Sequence, residues 1–217
     1  KNQDFNVLEP FNGLFTQGMV CHETYKDEKN NWLSPEEVIK KEGKTFLKTN
    51  NNIIVKVGPS ESMSKSKKNT IDPEKIIADY GADSVRLFIL SDSPPEKDVQ
   101  WSEQGIASSL KFIQKLWNLN LKFITEIKKN NSSDSDDKIE KFTNKFIKKI
   151  TNDLENFHYN VIIAGMHQMC SYLNKQIEKG YTKVSLIENY KKILIAINPV
   201  LPHFSNECLE MIGNNHT

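Results

Sequence analysis

The strongest constraint on the fold is a two-faced pattern with the period of an α-helix, which begins near residue 102. With Lys111 set at 0° and each residue advancing by 100°, one set of apolar side chains falls between about 80° and 220°. That apolar face consists of Phe112, Ile113, Leu116, Leu119, Phe123, Ile124 and Ile127. The opposite face carries, within about 40° of one line, Lys111, Lys115, Lys122 and Lys129. The pattern predicts one long amphipathic helix over 102–129.

The rest of the chain is also predicted to be helical. A polar segment at 130–137 is expected to link the first helix to a second over 138–157, with Ile139, Phe146, Ile150, Leu154 and Phe157 facing inward. The second helix has a lysine face of its own, made of Lys138, Lys141, Lys145, Lys148 and Lys149. Further helices are expected at about 160–179 and 184–198, and a short last helix follows the proline-rich break at 199–202.

The first part of the chain has a mixed α/β pattern. Residues 13–20 predict a buried strand with a glycine where another group approaches closely, and 34–38 (SPEEV) predict a helix start. Residues 45–49 and 53–57 flank three asparagines, which favours a β-hairpin.

Local signals also predict two short helices. Asp72 and Pro73 begin a helix that ends before Gly81, and a second helix is expected over 82–90. A break follows at Pro94 and Pro95.

Charge and composition exclude several classes of protein. The 29 basic and 28 acidic residues give a net charge of +1, which argues against a strongly basic nucleic-acid coat protein. Cys21, Cys170 and Cys208 lie too far apart for a disulfide framework or a metal-ligand motif, so we expect reduced thiols and no protein-bound metal. No apolar run reaches about 18 residues, so we expect no membrane-spanning helix, and no charged-then-apolar leader is seen.

The segment most suited to chemistry is 58–69 (GPSESMSKSKKN), which is predicted to be a flexible loop. Lysine ammonium groups, serine hydroxyls and exposed backbone N–H groups together suit a polyphosphate. The segment lacks the Walker A pattern. A solvated lysine loop is the alternative interpretation, since charge runs are usually exposed faces.

Residues 62–66 (SMSKS) resemble the KMSKS signature of class I aminoacyl-tRNA synthetases. The flanking residues 69–73 (NTIDP) and 80–86 (YGADSVR) continue as in that class. Residues 15–20 (FTQGMV) and 91–105 (SDSPPEKDVQWSEQG) resemble the leucyl-tRNA synthetase family of bacterial or mitochondrial type, and 198–207 resemble a late helix of its helical domain.

This resemblance implies a leucine–tRNA ligase that condenses leucine with ATP, together with Mg²⁺, and then transfers leucine to its tRNA. It implies that Lys65 is catalytic and contacts the ATP phosphates, whereas the segment Gln17, Gly18, Met19 and Val20 lies beside the substrates. The ATP-binding residues that it implies are Met63, Ser64, Lys65, Ser66, Lys67 and Lys68.

The resemblance also implies a fold and a division into domains. The fold is mostly α with a small α/β part, in which the end of a Rossmann-like catalytic domain precedes a helical, anticodon-binding-type domain. The expected boundaries are 1–70 for the first part, 71–101 for a connecting helical segment and 102–217 for the helical domain. The expected partners are tRNA(Leu), leucine and ATP, with no membrane; the protein is expected to be a monomer in the bacterial cytoplasm or the mitochondrial matrix.

Two departures from the family pattern are visible. The first motif position is Ser62 where the family usually has lysine, and the family's His-x-Gly-His signature is absent. We therefore expect a fragment of a longer enzyme, inactive alone. The alternatives are a non-catalytic helical RNA-binding module and another branched-chain class I synthetase.

The lysine faces remain open to two interpretations. In a tRNA-binding protein Lys111, Lys115, Lys122 and Lys129 would follow RNA phosphates, but a solvated face is equally compatible with the pattern. Arg86 is expected to be structural, as a partner of Asp83 or of helix carbonyls.

Overall fold

The computed structural model describes residue 9 and residues 11–129, 137–179 and 183–214. It is mostly helical, with two small sheets in the first part of the chain. The strands are β1 (Val20–Lys26), β2 (Trp32–Leu33), β3 (Val38–Lys41), β4 (Lys44–Leu47), β5 (Asn50–Ile54), β6 (Lys56–Ser62) and β7 (Val99–Gln100). The helices are α1 (Pro73–Tyr80), α2 (Ala82–Asp92), α3 (Glu103–Lys129), α4 (Asp137–Glu155), α5 (Tyr159–Lys179), α6 (Lys183–Ile197) and α7 (Pro202–Asn214).

The first sheet is built around β1. This strand pairs antiparallel with β2 and β6, and its first residues pair in parallel with β7. The second sheet is the antiparallel order β3-β4-β5. The predicted hairpin is confirmed, but its turn falls at Lys48 and Thr49, since Leu47 pairs with Asn50 and the asparagines belong to β5.

Three predictions for the first part of the chain are wrong in detail. Residues 13–19 form no strand, because pairing partners for β1 begin only at Val20. The helix start at 34–38 makes its capping box between Ser34 and Glu37, but forms only one 3₁₀ turn because Val38 joins β3. The predicted loop 58–69 remains a strand as far as Ser62, where β6 ends.

The helices α3 to α7 form a bundle that α2 joins at one side. The long helix predicted from periodicity is confirmed, with Phe112, Leu116, Leu119 and Phe123 buried in a core shared with α4 to α7. Phe157 does not lie inside this core as predicted: it follows the end of α4 and is 40% exposed. Among the described residues, no helix has the length and apolar character needed to cross a membrane.

Helix α2 is joined to the corner between α6 and α7 by two charged side chains. The Asp83 carboxylate accepts hydrogen bonds from the backbone N–H groups of His203 (3.4 Å) and Phe204 (2.7 Å) in the first turn of α7. The Arg86 guanidinium donates to the carbonyls of Pro199 (2.6 Å) and Val200 (3.2 Å), just after α6. The structural role expected for Arg86 is thus confirmed, with helix-end carbonyls as its partners.

Candidate functional site

The segment with the phosphate-binding pattern forms a short turn after β6. A single 3₁₀ turn spans Lys65–Lys67, closed by hydrogen bonds from Lys67 N to the Ser64 carbonyl and from Lys68 N to the Lys65 carbonyl, both 3.2 Å. The Ser64 and Ser66 hydroxyls lie 2.8 Å apart. Lys68 ends the turn in the left-handed conformation, with φ of 54°. The backbone therefore places Ser64, Lys65 and Ser66 together at the tip of the turn.

The buried side chain of Asn69 fixes both ends of this turn. Its Oδ1 accepts a hydrogen bond from Ser64 N at 2.8 Å, and its Nδ2 donates to the carbonyls of His22 and Glu61, both at 3.2 Å. Asn69 is fully buried. One amide thus ties the start and the end of the turn to β1 and β6.

The lysines near the turn differ in their partners. Lys67 forms an ion pair with Glu61, and Lys68 Nζ lies 4.0 Å from Glu37 Oε2. Among the described residues Lys65 forms neither an ion pair nor a side-chain hydrogen bond, and its side chain is exposed. Of the three, Lys65 is therefore the one whose positive charge is not already compensated by a carboxylate.

The segment Gln17–Val20 lies against the loop that precedes β7. Gly18 N donates to the Pro95 carbonyl at 2.8 Å, and Met19 N donates to Asp98 Oδ1 at 2.8 Å. A Cβ atom on Gly18 would lie 2.1 Å from the Lys97 carbonyl oxygen, so the predicted close approach to a glycine is found at this residue.

Val20 connects this segment to the turn after β6, because its carbonyl accepts a hydrogen bond from Met63 N at 3.3 Å. Of the four residues predicted to be a strand beside the substrates, only Val20 belongs to β1. Gln17 is exposed and Gly18 half-buried.

A polar cleft of about 690 Å³ opens between β1, β3 and the start of α3. Within it Glu23 Oε2 accepts hydrogen bonds from the Tyr25 hydroxyl (2.8 Å) and from Lys40 Nζ (2.6 Å). Burial favours the neutral form of Glu23, but the hydrogen bonds from Lys40 and Tyr25 outweigh it and lower the pKa of Glu23. Burial also lowers the pKa of His22, so the ring is more readily neutral than a free histidine. Sequence patterns gave no signal for this cluster, because Lys40 reaches Glu23 from β3, a strand that lies 17 residues further along the chain.

The lysine face of α3 lines a groove of about 1040 Å³ between α3 and α5. Lys111, Lys115 and Lys122 lie along it, and α5 contributes Lys175 from the facing wall. Lys122 Nζ donates to Asn174 Oδ1 at 3.0 Å. The sequence did not indicate Lys175, because the pattern on one helix does not specify which helix faces it. Glu178 is the acidic side chain of this lining.

The remaining predicted lysines do not line this groove. Lys129 is the last residue of α3, and its side chain lies outside the described part of the chain. The α4 lysines are exposed, but α4 packs mainly on α5 and α6. The α4 lysines therefore lie outside the groove between α3 and α5.

Two protein-family models match the chain. The model described as tRNA synthetases class I (I, L, M and V) matches residues 50–102, which include the turn after β6 and α2. The model described as the anticodon-binding domain of tRNA ligase matches residues 136–217, from α4 to the end.

Leucine–tRNA ligases of Rickettsia are similar to the chain along almost all of its length. Those of Rickettsia peacockii and Rickettsia bellii are 44% and 43% identical over 210 and 214 residues, which cover 96% and 98% of this chain. The chain spans about a quarter, 25%, of the length of these relatives.

Solved structures of two synthetases share the fold. A LeuRS from Agrobacterium radiobacter K84, in a ternary complex with tRNA and LeuAMS, superposes with a TM-score of 0.63 and 22% identity, over 70% of this chain and 21% of that one. The Mycobacterium tuberculosis methionyl-tRNA synthetase in complex with methionyl-adenylate superposes with a TM-score of 0.57 and 19% identity, over 68% of this chain and 35% of that one. The fold is accordingly the end of a class I catalytic domain followed by a helical anticodon-binding-type domain, and the chain belongs to the leucine–tRNA ligase family of class I synthetases.

Proposed function

We propose that this chain acts as part of a leucine–tRNA ligase, in which it supplies the phosphate-binding turn and a tRNA-docking surface. The reaction joins leucine to ATP as leucyl-adenylate and then transfers leucine to tRNA(Leu). The observation that carries the proposal is the unpaired lysine at the tip of a turn whose two ends a buried asparagine fixes.

The proposed substrate of the turn is ATP, with Met63, Ser64, Lys65, Ser66, Lys67 and Lys68 as the residues around its phosphates. Mg²⁺ would accompany the nucleotide and offset part of its phosphate charge. No three His, Cys, Asp or Glu side chains gather as a metal site within residues 11–129, 137–179 and 183–214. We therefore propose that the phosphates, rather than this part of the chain, hold the ion.

In this proposal Lys65 acts in the transition state of adenylate formation. Attack of the leucine carboxylate on the α-phosphorus transfers negative charge to the departing pyrophosphate. An ammonium group beside the pyrophosphate oxygen that leaves the α-phosphorus stabilises the transition state more than the ground state, and thus accelerates the step. Lys65 suits this role because no carboxylate competes for its charge, whereas Glu61 already holds Lys67. Lys67 is accordingly a poor replacement for the lysine missing at Ser62.

Gln17, Gly18, Met19 and Val20 are proposed to line the substrate side of the same site. Support comes from the hydrogen bond between Met63 N and the Val20 carbonyl, which joins this segment to the turn. The close contact of Gly18 with Lys97 fixes the path of the backbone there.

The groove between α3 and α5 is the proposed docking surface for tRNA. Lys111, Lys115 and Lys122 supply positive charge along one wall and Lys175 along the other, which suits a phosphate backbone. Lys129 is a proposed contact from the sequence pattern alone. Recognition through RNA shape and backbone is the mode that such a lysine groove supports.

The division of the chain at 1–70, 71–101 and 102–217 is likewise proposed. The family-model boundaries at 102 and 136 lie near or within its last part. We further propose that the protein is a monomer, that it works in the bacterial cytoplasm or the mitochondrial matrix, and that it does not associate with membranes.

The test is the variant Lys65→Ala in the complete ligase, measured by leucine-dependent pyrophosphate exchange. Loss of one preorganised charge is expected to remove about 2–4 kcal/mol of transition-state stabilisation, with leucine binding little changed. Lys44→Ala is the matched control, since Lys44 is an exposed lysine of the second sheet. Exchange within twofold of wild type in Lys65→Ala would contradict the assignment. ATP binding by the wild-type protein distinguishes the two candidate functions, because a ligase binds ATP and a non-catalytic RNA-binding module does not.

A further inference from the structure

The turn between α4 and α5 holds an aromatic residue where helices usually place glycine. His158 N donates to the Asp153 carbonyl at 2.7 Å, and Phe157 N donates to the Leu154 carbonyl at 3.2 Å. These two bonds form the Schellman arrangement that ends many helices, with Phe157 at its left-handed position. Phe157 has φ of 56°, a conformation that glycine adopts freely and bulky side chains disfavour.

The side chain of Phe157 makes a contact that glycine could not make. Its ring stacks on that of Phe15, with centroids 4.6 Å apart and planes at 28°. Tyr159 meets the same ring edge-on at 6.2 Å. Phe157 and Phe15 are 40% and 42% exposed, so the stack is a surface contact rather than part of the bundle core. The disfavoured backbone conformation therefore serves to present a ring to Phe15.

Phe15 stands two residues before the segment Gln17–Val20. Two hydrogen bonds from backbone N–H groups hold Gly18 and Met19: Gly18 N donates to the Pro95 carbonyl and Met19 N to Asp98 Oδ1. The stack on Phe157 holds the chain just before them, at Phe15. The backbone between these anchors forms no strand, so each anchor limits the freedom of the segment.

We propose that Phe157 is a positioning residue: by stacking on Phe15, it ties the segment Gln17–Val20 to the α4–α5 turn of the helical bundle. It touches no substrate in this arrangement. Its effect on adenylate formation passes through the order of residues 17–20, and that part of the inference rests on the proposed function.

The test compares Phe15→Ala with Phe157→Gly. Both variants remove the stack. Only Phe157→Gly also removes the energetic cost of a bulky side chain on a residue with left-handed backbone conformation. Phe157→Gly should therefore melt above Phe15→Ala, by roughly 2–4 °C for a chain of this size. In both variants hydrogen exchange at the amides of Gly18 and Met19 should become roughly two- to tenfold faster, the range for losing one aromatic pair.

Two controls make the outcome specific. Leu14→Ala changes a neighbouring apolar side chain that is 90% exposed, and should leave exchange at Gly18 and Met19 unchanged. Phe157→Tyr retains the ring and should behave as wild type. Equal exchange at Gly18 and Met19 in wild type, Phe15→Ala and Phe157→Gly overturns the proposal.

The activity measurement separates this proposal from the proposed function. In the complete ligase both variants should slow pyrophosphate exchange by the same roughly two- to tenfold, although Phe157→Gly melts above Phe15→Ala. A purely structural role predicts instead that Phe157→Gly, the more stable of the two, keeps more activity than Phe15→Ala. A wild-type ligase that forms no leucyl-adenylate would refute the proposed function. Hydrogen exchange at Gly18 and Met19 would still decide whether Phe157 orders the segment Gln17–Val20.

Discussion

At the residue scale, the turn after β6 depends on a side chain that carries no charge. Asn69 uses both ends of its amide, accepting from Ser64 N and donating to carbonyls on β1 and β6. Because Asn69 is completely buried, water cannot replace these bonds if the amide is lost. The position of Lys65 is thus set by a neighbour four residues along the chain.

We expect Asn69→Ala to lower the free energy of unfolding by about 1–3 kcal/mol, because buried donors and acceptors lose their partner. Urea denaturation of wild type and Asn69→Ala measures the change as a shift of the midpoint, provided that the dependence of the unfolding free energy on urea concentration has the same slope in both proteins. Asn51→Ala is the control, because Asn51 is an exposed asparagine of β5. Equal midpoints for wild type and Asn69→Ala would show that the turn does not need the amide.

At the element scale, α2 fixes the corner between α6 and α7 by complementing both helix ends. Asp83 places negative charge at the start of α7, and Arg86 places positive charge against carbonyls after α6. Both placements agree with the direction of the helix dipole, which favours anions at the start and cations at the end. Asp83 and Arg86 together act as a clamp on this corner. Since α2 follows α1 and the turn after β6, the clamp links that turn to the bundle.

We expect Asp83→Asn to destabilise the chain by about 1–2 kcal/mol. The new amide keeps one acceptor oxygen, but it removes the charge at the start of α7 and directs N–H groups toward backbone donors. Urea unfolding reports the loss. Asp79→Asn, a change at an exposed residue of α1, should alter the free energy of unfolding by less than about 0.5 kcal/mol, the usual scale for surface substitutions. A midpoint for Asp83→Asn equal to that of Asp79→Asn would exclude the clamp.

Elements defined by local signals were predicted correctly, and those defined by distant partners were not. Asp72 caps α1 through Glu74 N and Gly81 ends it with φ of 82°, as the sequence indicates. The same kind of cap at Ser34 begins only one turn, since β4 competes for Val38. Likewise β1 begins only at Val20, because its register with β7 starts at Val20 and its register with β6 at Cys21.

At the scale of the whole molecule, helix packing decides which lysines act together. Periodicity predicted the α3 face correctly, but the facing lysine, Lys175, became visible only once α5 was seen beside α3. The α4 lysines, which look equivalent in sequence, do not line this groove. The roles of all these lysines in tRNA binding stay predictions.

We expect the triple change Lys111→Gln, Lys115→Gln and Lys122→Gln to weaken tRNA binding with little dependence on tRNA sequence. The slope of log K against log salt should fall by roughly one to three units, because each lost phosphate contact removes about one released counterion. Filter binding across a salt series measures both effects, whereas adenylate formation should barely change.

The matched control for this triple variant changes Lys141, Lys145 and Lys148 of α4 to Gln, which removes the same charge outside the groove. If only the α4 variant lowers the slope, tRNA docks on α4. If neither variant does, both lysine faces are solvated.

Two glycines five residues apart differ in the substitutions that the fold can accept. A Cβ on Gly13 would meet no atom within 4 Å, whereas one on Gly18 would lie 2.1 Å from a peptide carbonyl. Any amino acid other than glycine at position 18 therefore overlaps the backbone at Lys97, so the fold accepts a side chain there only if that backbone shifts. A side chain at position 13 meets no such obstacle, so random mutagenesis should recover folded variants at Gly13 far more often than at Gly18.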